Sequence, residues 1–446
     1  MINSRKAEKP INRWISSPDN ALIVTGARQV GKTFTIRKCL QDNNCDYVEI
    51  NLVKNPELVE ALRLSENSKD IAINISAATG KKLTPGKTFI FIDEVQQYKE
   101  MVTKIKFLVD EGIYHFCLSG SLLGVEITSL LSAPVGYLDE IIMYPLDFEE
   151  FLIANDLPEN VFSSLSDAFN ERKPVPELVH TKIMELFRRY LVVGGMPAAV
   201  SEYLSSGDIN KVTNIQKNII SQYKKDFTKY EADNKKLMII DIYESIASQL
   251  LKQNRRFNYA DIKKGLRFER VEDSFLWLTN AGVSLPVYNA TEPKVSLYQN
   301  KKSNLLKLFS SDVGLLTCMY GSSAKLKLLI NDRTLNSGGI YENMIAQELH
   351  AHGFPLYYYN SHKLGELDFV IEYRGNILPL EIKSGKDYTV HSAISNVVGN
   401  SEFKIDEGIV FADCNVTVKN KITYLPVYMI MFLHEEVNLP VLEKLF

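Results

Sequence analysis

Short apolar runs and helical periods alternate over the first 147 residues. Ala21–Thr25, Tyr47–Leu52, Thr88–Ile92, Phe116–Ser119 and Asp139–Met143 have the length and β-branched content of buried strands. Helical patterns lie between them, which predicts a parallel sheet enclosed by helices. From Phe148 to about Ile240 the apolar positions recur at helical spacing, as in Glu177–Tyr190, until Gly194, Gly195, Met196 and Pro197 break the period. A helical lid is expected there. Residues 241–300 read as helix (Tyr243–Lys252), short helix (Ala260–Leu266), helix (Val271–Ala281) and hairpin (Val283–Tyr288 with Lys294–Tyr298). That order resembles a winged helix. Mixed strands and helices follow to the end. The expected division is 1–147, 148–240, 241–300 and 301–446, in a chain of the α/β class.

The first apolar strand runs into Gly26, Ala27, Arg28, Gln29, Val30, Gly31, Lys32 and Thr33, and a helix opens at Lys32, Thr33 and Phe34. This is the G-x-x-x-x-G-K-[ST] pattern in the strand–loop–helix setting of a P-loop. Two glycines let successive N–H groups turn toward a phosphate, and the helix N-terminus adds its positive dipole. Lys32 is placed for the β- and γ-phosphates and Thr33 for a magnesium ion, so ATP and Mg2+ are the expected ligands. The run Thr88–Ile92 ends in Asp93 and Glu94. Asp93 is the expected second magnesium ligand, and Glu94 the base that polarises the attacking water. Ser119 or Ser121, after the next strand, is placed to sense the γ-phosphate. Arg28 reads equally as a contact to phosphate or to a neighbouring subunit, or as a solvated loop residue.

GARQVGKT at 26–33, FIFIDEVQ at 89–96, the stretch Met143–Phe151 and the stretch Tyr190–Pro197 together resemble the bacterial and archaeal AAA-type ATPases fused to an uncharacterised C-terminal domain. The resemblance covers nearly the whole chain and implies an additional-strand P-loop core of strand order 5-1-4-3-2. There is one departure. Many relatives carry Gly-Arg just before the fifth strand, whereas Leu131–Tyr137 contains no arginine. An arginine finger contributes ~10³-fold or more to turnover. Its absence implies a homo-oligomer or protein partner that supplies one; Arg188 and Arg189 lie nearby in sequence without a geometric reason to choose them.

In the last third, Glu366–Lys383 folds on itself if Gly375 and Asn376 form a two-residue turn. Paired residue numbers then sum to 751, with Phe369 opposite Ile382, Ile371 opposite Leu380 and Tyr373 opposite Leu378. The other face carries Asp368 opposite Lys383 and Val370 opposite Glu381, which gathers two carboxylates and a lysine. The helical stretch Gly339–Leu349 adds Glu342, with Asn343 and Gln347 as weaker candidates. Such a set suits metal-dependent phosphodiester cleavage: Glu342, Asp368 and Glu381 as magnesium ligands, Glu381 and Lys383 as the catalytic pair. The arrangement resembles the PD-(D/E)xK, restriction-endonuclease-like superfamily. His391 and Ser392, which follow it, read as surface residues.

Bulk composition narrows the partners. Hydrophobic content of 45% and charged content of 24% are those of a globular chain with filled cores, and 446 residues suggest about three domains. The net charge of −3 leaves nucleic-acid contact to local patches. One such patch runs from Lys252 to Arg270, where Lys252, Arg255, Arg256, Lys263, Lys264, Arg267 and Arg270 outweigh Asp261 and Glu269. Glu272, Asp273 and an apolar Phe-Leu-Trp-Leu run make the following helix a poor reader of bases. Five scattered cysteines without C-x-x-C spacing argue against a disulfide framework or a zinc site and fit a reducing compartment. A polar N-terminus and the lack of an 18-residue apolar run predict a cytoplasmic protein without a membrane span. The leading expectation is an ATPase whose nucleotide state controls a nuclease-like domain acting on DNA or RNA. The alternative is an ATP-driven switch or assembly module whose C-terminal domain binds without cutting.

Overall fold

The computed structural model describes residues 4–121, 136–227 and 233–435. The chain divides into two compact units. The first comprises residues 1–146, 196–201 and 276–283; the second comprises 147–195, 202–275 and 284–446.

The first unit is built on five parallel strands: β1 (Ala21–Thr25), β2 (Tyr47–Asn51), β3 (Phe89–Asp93), β4 (His115–Ser119) and β5 (Leu138–Ile142). Their order is β2-β3-β4-β1-β5. This is the expected 5-1-4-3-2 arrangement, and every strand falls within a residue or two of its sequence-read position. Because the side-chain period of a strand is two, alternate residues feed opposite faces. Ile23, Ile90, Ile92, Phe116 and Leu118 enter one core with Tyr98, Met101 and Ile105. Leu22, Val24, Phe89, Phe91 and Cys117 enter the other with Ile11, Trp14 and Ile36. Helices therefore cover both faces, which explains the unbroken apolar runs of β1 and β3.

The second unit begins with helices Phe148–Ala154, Glu159–Glu171, Glu177–Val193 and Ile209–Phe227, followed by Asp233–Leu250, as the helical period predicts. Its sheet has eight strands in the order β12-β13-β11-β10-β9-β8-β6-β7. These are β6 (Ser284–Ala290), β7 (Lys301–Ser310), β8 (Tyr357–Ser361), β9 (Gly365–Tyr373), β10 (Asn376–Lys383), β11 (Gly408–Ala412), β12 (Thr417–Lys419) and β13 (Ile422–Pro426). The helix Gly338–Ala351 lies against β10, β6 and β7. The helix Ser392–Gly399 packs on the sheet with Val370, Ile377, Tyr359 and Val410.

Two local expectations are corrected here. Where a second helix of a winged helix is expected, Tyr259–Asp261 and Phe268–Arg270 are single 3₁₀ turns. Residues 294–298 form no wing strand: β6 pairs instead with β7, and the pair lies at one end of the large sheet. Phe257, Tyr259, Phe268 and Phe275 pack ring against ring, so the apolar residues of this segment make a core.

The β9–β10 hairpin turns one residue earlier than expected, at Arg374 (φ 51°) and Gly375 (φ 79°), the positive-φ pair of a type I′ turn. Tyr373 pairs with Asn376, Ile371 with Leu378, Val370 with Pro379 and Phe369 with Leu380. Paired numbers sum to 749 rather than 751. A shift of two preserves the faces but changes every neighbour. Pro379 supplies the reason. Counting outward from a turn at Gly375 and Asn376 places Pro379 at a hydrogen-bonded site opposite Glu372, where it lacks the N–H to donate. In the observed register it faces Val370 at a site whose N–H points away from β9, just before β10 begins to pair with β11.

Candidate functional site

In the first unit the P-loop conformation follows from its glycines. Gly26 (φ 133°) brings its Cα so close to the chain leaving β5 that a Cβ there would lie 2.1 Å from the Met143 carbonyl oxygen. Gly31 (φ 98°) caps the helix Lys32–Asp42. Lys32 folds back over the loop and donates to the carbonyls of Gly26 (2.9 Å) and Ala27 (2.8 Å). Burial pushes its ammonium down to about 8, against the opposing pull of Glu94 and Asp93.

The Thr33 hydroxyl donates to Asp93 Oδ1 at 3.0 Å, joining the helix start to the end of β3. Ser119, at the end of β4 and fully buried, also donates to Asp93 Oδ1. Asn51, at the end of β2 and in register with Asp93, donates to Oδ2 at 2.9 Å. Three neighbouring strand ends and the helix thus converge on one carboxylate. The residues fit a hydrated divalent cation beside a phosphate: a hydroxyl and a carboxylate already in contact, at the N-terminus of a helix. Glu94 holds a left-handed backbone (φ 58°), uncommon for a side chain of its size, and its carboxylate accepts from the Gln96 amide.

Arg28 Nε donates to Ser121 Oγ at 3.1 Å, so the structure joins these two sequence candidates to each other. Phe34 is exposed. It lines an open cleft next to Gly31, with Arg5, Thr35, Pro197, Ala198 and Ser201. Two contributors escaped the sequence reading. Asn51 had a signal, being the polar last residue of a strand next to β3. Arg5 had none: it donates to the carbonyls of Val30 (2.8 Å) and Tyr144 (2.7 Å), bracing the loop from a distant position in the chain. The arginine-free stretch 131–135 lies outside the described residues.

In the second unit Glu342, Asp368, Glu381 and Lys383 do gather. Lys383 donates to Glu381 Oε1 at 2.8 Å. Asp368 is fixed by accepting from the Ile382 N–H at 2.8 Å, at the point where the regular β9–β10 ladder stops. Between the carboxylates stands an ammonium that the sequence reading missed. Lys307, buried on β7, lies 2.9 Å from Glu366 and 3.9 Å from both Glu342 and Asp368. Although burial alone would lower its pKa, the surrounding carboxylates Glu342, Asp368 and Glu366 raise it. Arg255 pairs with Glu342 as well. Burial, and then the charge of Asp368, push the Glu342 and Glu381 carboxyls upward. Glu381 Oε2 is buried with no hydrogen-bond partner among the described residues, a feature that suits a cation ligand. The oxygens of Glu342, Asp368 and Glu381 are nevertheless not among those that converge within 4.8 Å as a metal cluster would.

The basic patch is partly consumed inside the fold. Lys252 pairs with Asp261, Arg255 with Glu342, and Arg256 approaches Glu366 at 3.9 Å. Arg189 is held by Glu185 and Tyr203, so nothing marks it as a finger. Asn343 and Gln347 serve the fold: they bond to the backbone of Ser310 and Val313. His391 bonds to Ser395 and Tyr424. No disulfide links the five cysteines, and no described helix is long and apolar enough to cross a membrane.

Comparison with known proteins bears on the first unit. Residues 18–152 match the family described as "AAA domain". Residues 184–326 and 337–430 match two domains of unknown function, DUF8612 and DUF4143. No curated protein matches the chain. Among solved structures, the Walker-type ATPase PABY2304 of Pyrococcus abyssi is 17% identical, with a TM-score of 0.44 over 71% of this chain and 95% of that one. Cdc6p of Pyrobaculum aerophilum is 12% identical with a TM-score of 0.25, covering 74% of this chain and 96% of that one. The Thermotoga maritima RuvB Holliday junction branch migration motor is 12% identical with a TM-score of 0.27, covering 63% and 89%. The family match, the 5-1-4-3-2 sheet and the Lys32–Thr33–Asp93 geometry agree with one another, and residues 18–152 form a P-loop ATPase domain of the AAA type.

Proposed function

We propose that the chain binds ATP with Mg2+ and hydrolyses it at the P-loop. The contact between Thr33 and Asp93 carries the reading, because it joins the two residues that would hold the ion. When bound, Mg2+ supplies charge neutralisation at the phosphate oxygens. The loop amides of residues 26–33 and the Lys32 ammonium bind phosphate. The cleft beside Phe34 and Pro197 is apolar enough for a base. Glu94 accepts the proton of the attacking water, and Ser119 holds Asp93 in place. With no arginine in Leu131–Tyr137, fast turnover requires a second copy of the chain or a protein partner to supply a cation.

For the second unit, the hairpin carboxylates, Lys383 and the orphaned Glu381 oxygen support a restriction-endonuclease-like centre controlled by nucleotide state and acting on DNA or RNA. One observation favours the alternative, a non-cleaving module that binds nucleic acid or protein. Lys307 and Arg255 already neutralise the carboxylates assigned to metal.

The deciding experiment is ATP turnover with Mg2+, with and without DNA or RNA, beside Glu94→Gln. Stimulation by nucleic acid that vanishes in the variant supports coupling. Turnover indifferent to nucleic acid favours a protein target. Mg2+-dependent nicking that Lys383→Ala abolishes would establish the nuclease centre, and ATP turnover without cleavage of any substrate would remove it.

A further inference from the structure

The second unit buries another group of titratable side chains, and none of its members belongs to either site above. Asp147 caps the helix Phe148–Ala154, its Oδ1 accepting from the Glu150 N–H at 2.8 Å. Glu348 and His352 stand one turn apart at the end of the helix Gly338–Ala351. Glu348 Oε1 accepts from the Phe148 N–H at 2.9 Å and from the Tyr190 hydroxyl at 3.4 Å. The second oxygen of each carboxylate turns inward. Asp147 Oδ2 lies 3.5 Å and Glu348 Oε2 lies 3.7 Å from His352 Nε2. One donor atom from each residue falls within 4.8 Å of the others, and all three residues are buried.

The histidine tautomer follows from its other nitrogen. His352 Nδ1 lies 2.9 Å from the Leu433 carbonyl oxygen, which can only accept, so Nδ1 carries the proton. In the neutral ring Nε2 then presents a lone pair, buried and without a hydrogen-bond partner among the described residues. A buried lone pair beside two carboxylate oxygens is a donor set that a cation between them would satisfy. The separations decide which. At 3.5 and 3.7 Å they exceed an N–H···O bond of ~2.7–3.2 Å. They come close to the ~3.3 Å edge of a tetrahedron whose metal–nitrogen and metal–oxygen bonds are ~2.0 Å. An Nδ1–H donated to a backbone carbonyl is also the device that fixes a metal-binding imidazole.

We propose that Asp147, Glu348 and His352 hold one divalent transition-metal ion of the zinc class. An imidazole nitrogen with two carboxylates suits Zn2+, Co2+ or Mn2+, and does not suit Mg2+, which demands oxygen ligands and keeps its waters. The ion is structural. It clips the start of the helix Phe148–Ala154 to the end of the helix Gly338–Ala351. Through the Leu433 carbonyl it also fixes the segment that returns past His352, where the Glu435 N–H meets the His352 carbonyl at 3.3 Å.

The test uses the full chain, purified without chelator and exchanged into Mg2+ buffer, with metal content read by mass spectrometry. One equivalent of a transition metal is expected. Asp147→Asn keeps the capping oxygen while removing a charged ligand, and it should lower the retained metal by tenfold or more. Chelated wild type should take up Co2+ with a visible d–d spectrum that His352→Ala lacks. Because His352→Ala could disturb folding, the chelated wild type carries its own readout: its melting temperature should fall and recover with Zn2+. A chain that holds no transition metal, takes up no Co2+ and melts unchanged after chelation overturns the proposal. Metal retained equally by Asp147→Asn places the ion elsewhere and overturns it too.

Discussion

At the scale of single residues, the ATP site concentrates its polar contacts on one atom pair. Asp93 receives Thr33, Ser119 and Asn51, each from a different element, so its orientation is over-determined. Glu94 next to it is held by backbone conformation and by Gln96. Glu94→Gln keeps the shape and removes the carboxylate that the proposed mechanism uses as proton acceptor. Turnover should fall ~10²–10⁴-fold while ATP binding persists, which a stopped assay beside equilibrium binding of a fluorescent ATP analogue would check. Asn51→Ala tests a quieter role. It removes one hydrogen bond from Asp93 and should weaken the apparent Mg2+ affinity several-fold without abolishing turnover, read as a rise in the Mg2+ concentration for half-maximal rate.

At the scale of elements, the break after Tyr190 shows why two glycines stand together. Gly194 has φ 72°, and a Cβ there would lie 2.4 Å from Asp312 Oδ1. The Gly195 N–H donates to Asp312 Oδ2 at 2.6 Å, while Asp312 caps the helix Val313–Tyr320 through the Leu315 N–H. The pair that reads in sequence as a helix stop is also a docking point for a second helix. Gly194→Ala combines left-handed strain with a backbone-level clash and should cost at least ~2 kcal/mol in urea unfolding. Asp312 itself titrates informatively. Burial raises its carboxyl to about 6 from 3.8, against the N–H groups that favour the charged form. The folded chain therefore holds this proton more tightly than the unfolded one. Stability contributed here is present below pH 4 and falls as pH rises from about 4 to about 6, by up to ~3 kcal/mol at ~1.36 kcal/mol per unit. Asp312→Asn should flatten that portion of the profile when unfolding is compared with wild type at several pH values.

At the scale of the molecule, the division into two units predicts a divided response to nucleotide. A ligand at a hundred times its Kd adds ~2.7 kcal/mol to the state that binds it, which moves a transition of this size by ~5–11 °C. Calorimetry with Mg2+ and ATP should shift the transition of the P-loop unit most and that of the eight-stranded unit by less; the smaller shift is the coupling that control by nucleotide state requires, and its absence would count against that control. A single transition that moves as one would show that nucleotide energy reaches the whole chain.

The sequence by itself determined the first unit almost completely. Its strands are buried on both faces and so read as unbroken apolar runs, its loop pattern is local, and the placement of Lys32, Thr33 and Asp93 follows from adjacency to those runs. The second unit was determined only in part. The faces of β9 and β10 were correct because a two-residue shift preserves parity, and Pro379 carried the register for a reader who counted its missing N–H. Lys307, Arg255 and the Asp147–Glu348–His352 group could not be read in advance. Apart from Glu348 and His352, one helical turn apart, their partners lie tens to hundreds of residues away. A buried charge is decided by what the fold packs around it, and periodicity says only that a position is inside. Tertiary structure alone therefore decided which carboxylates of the second unit face lysine and arginine and which face a bare imidazole nitrogen.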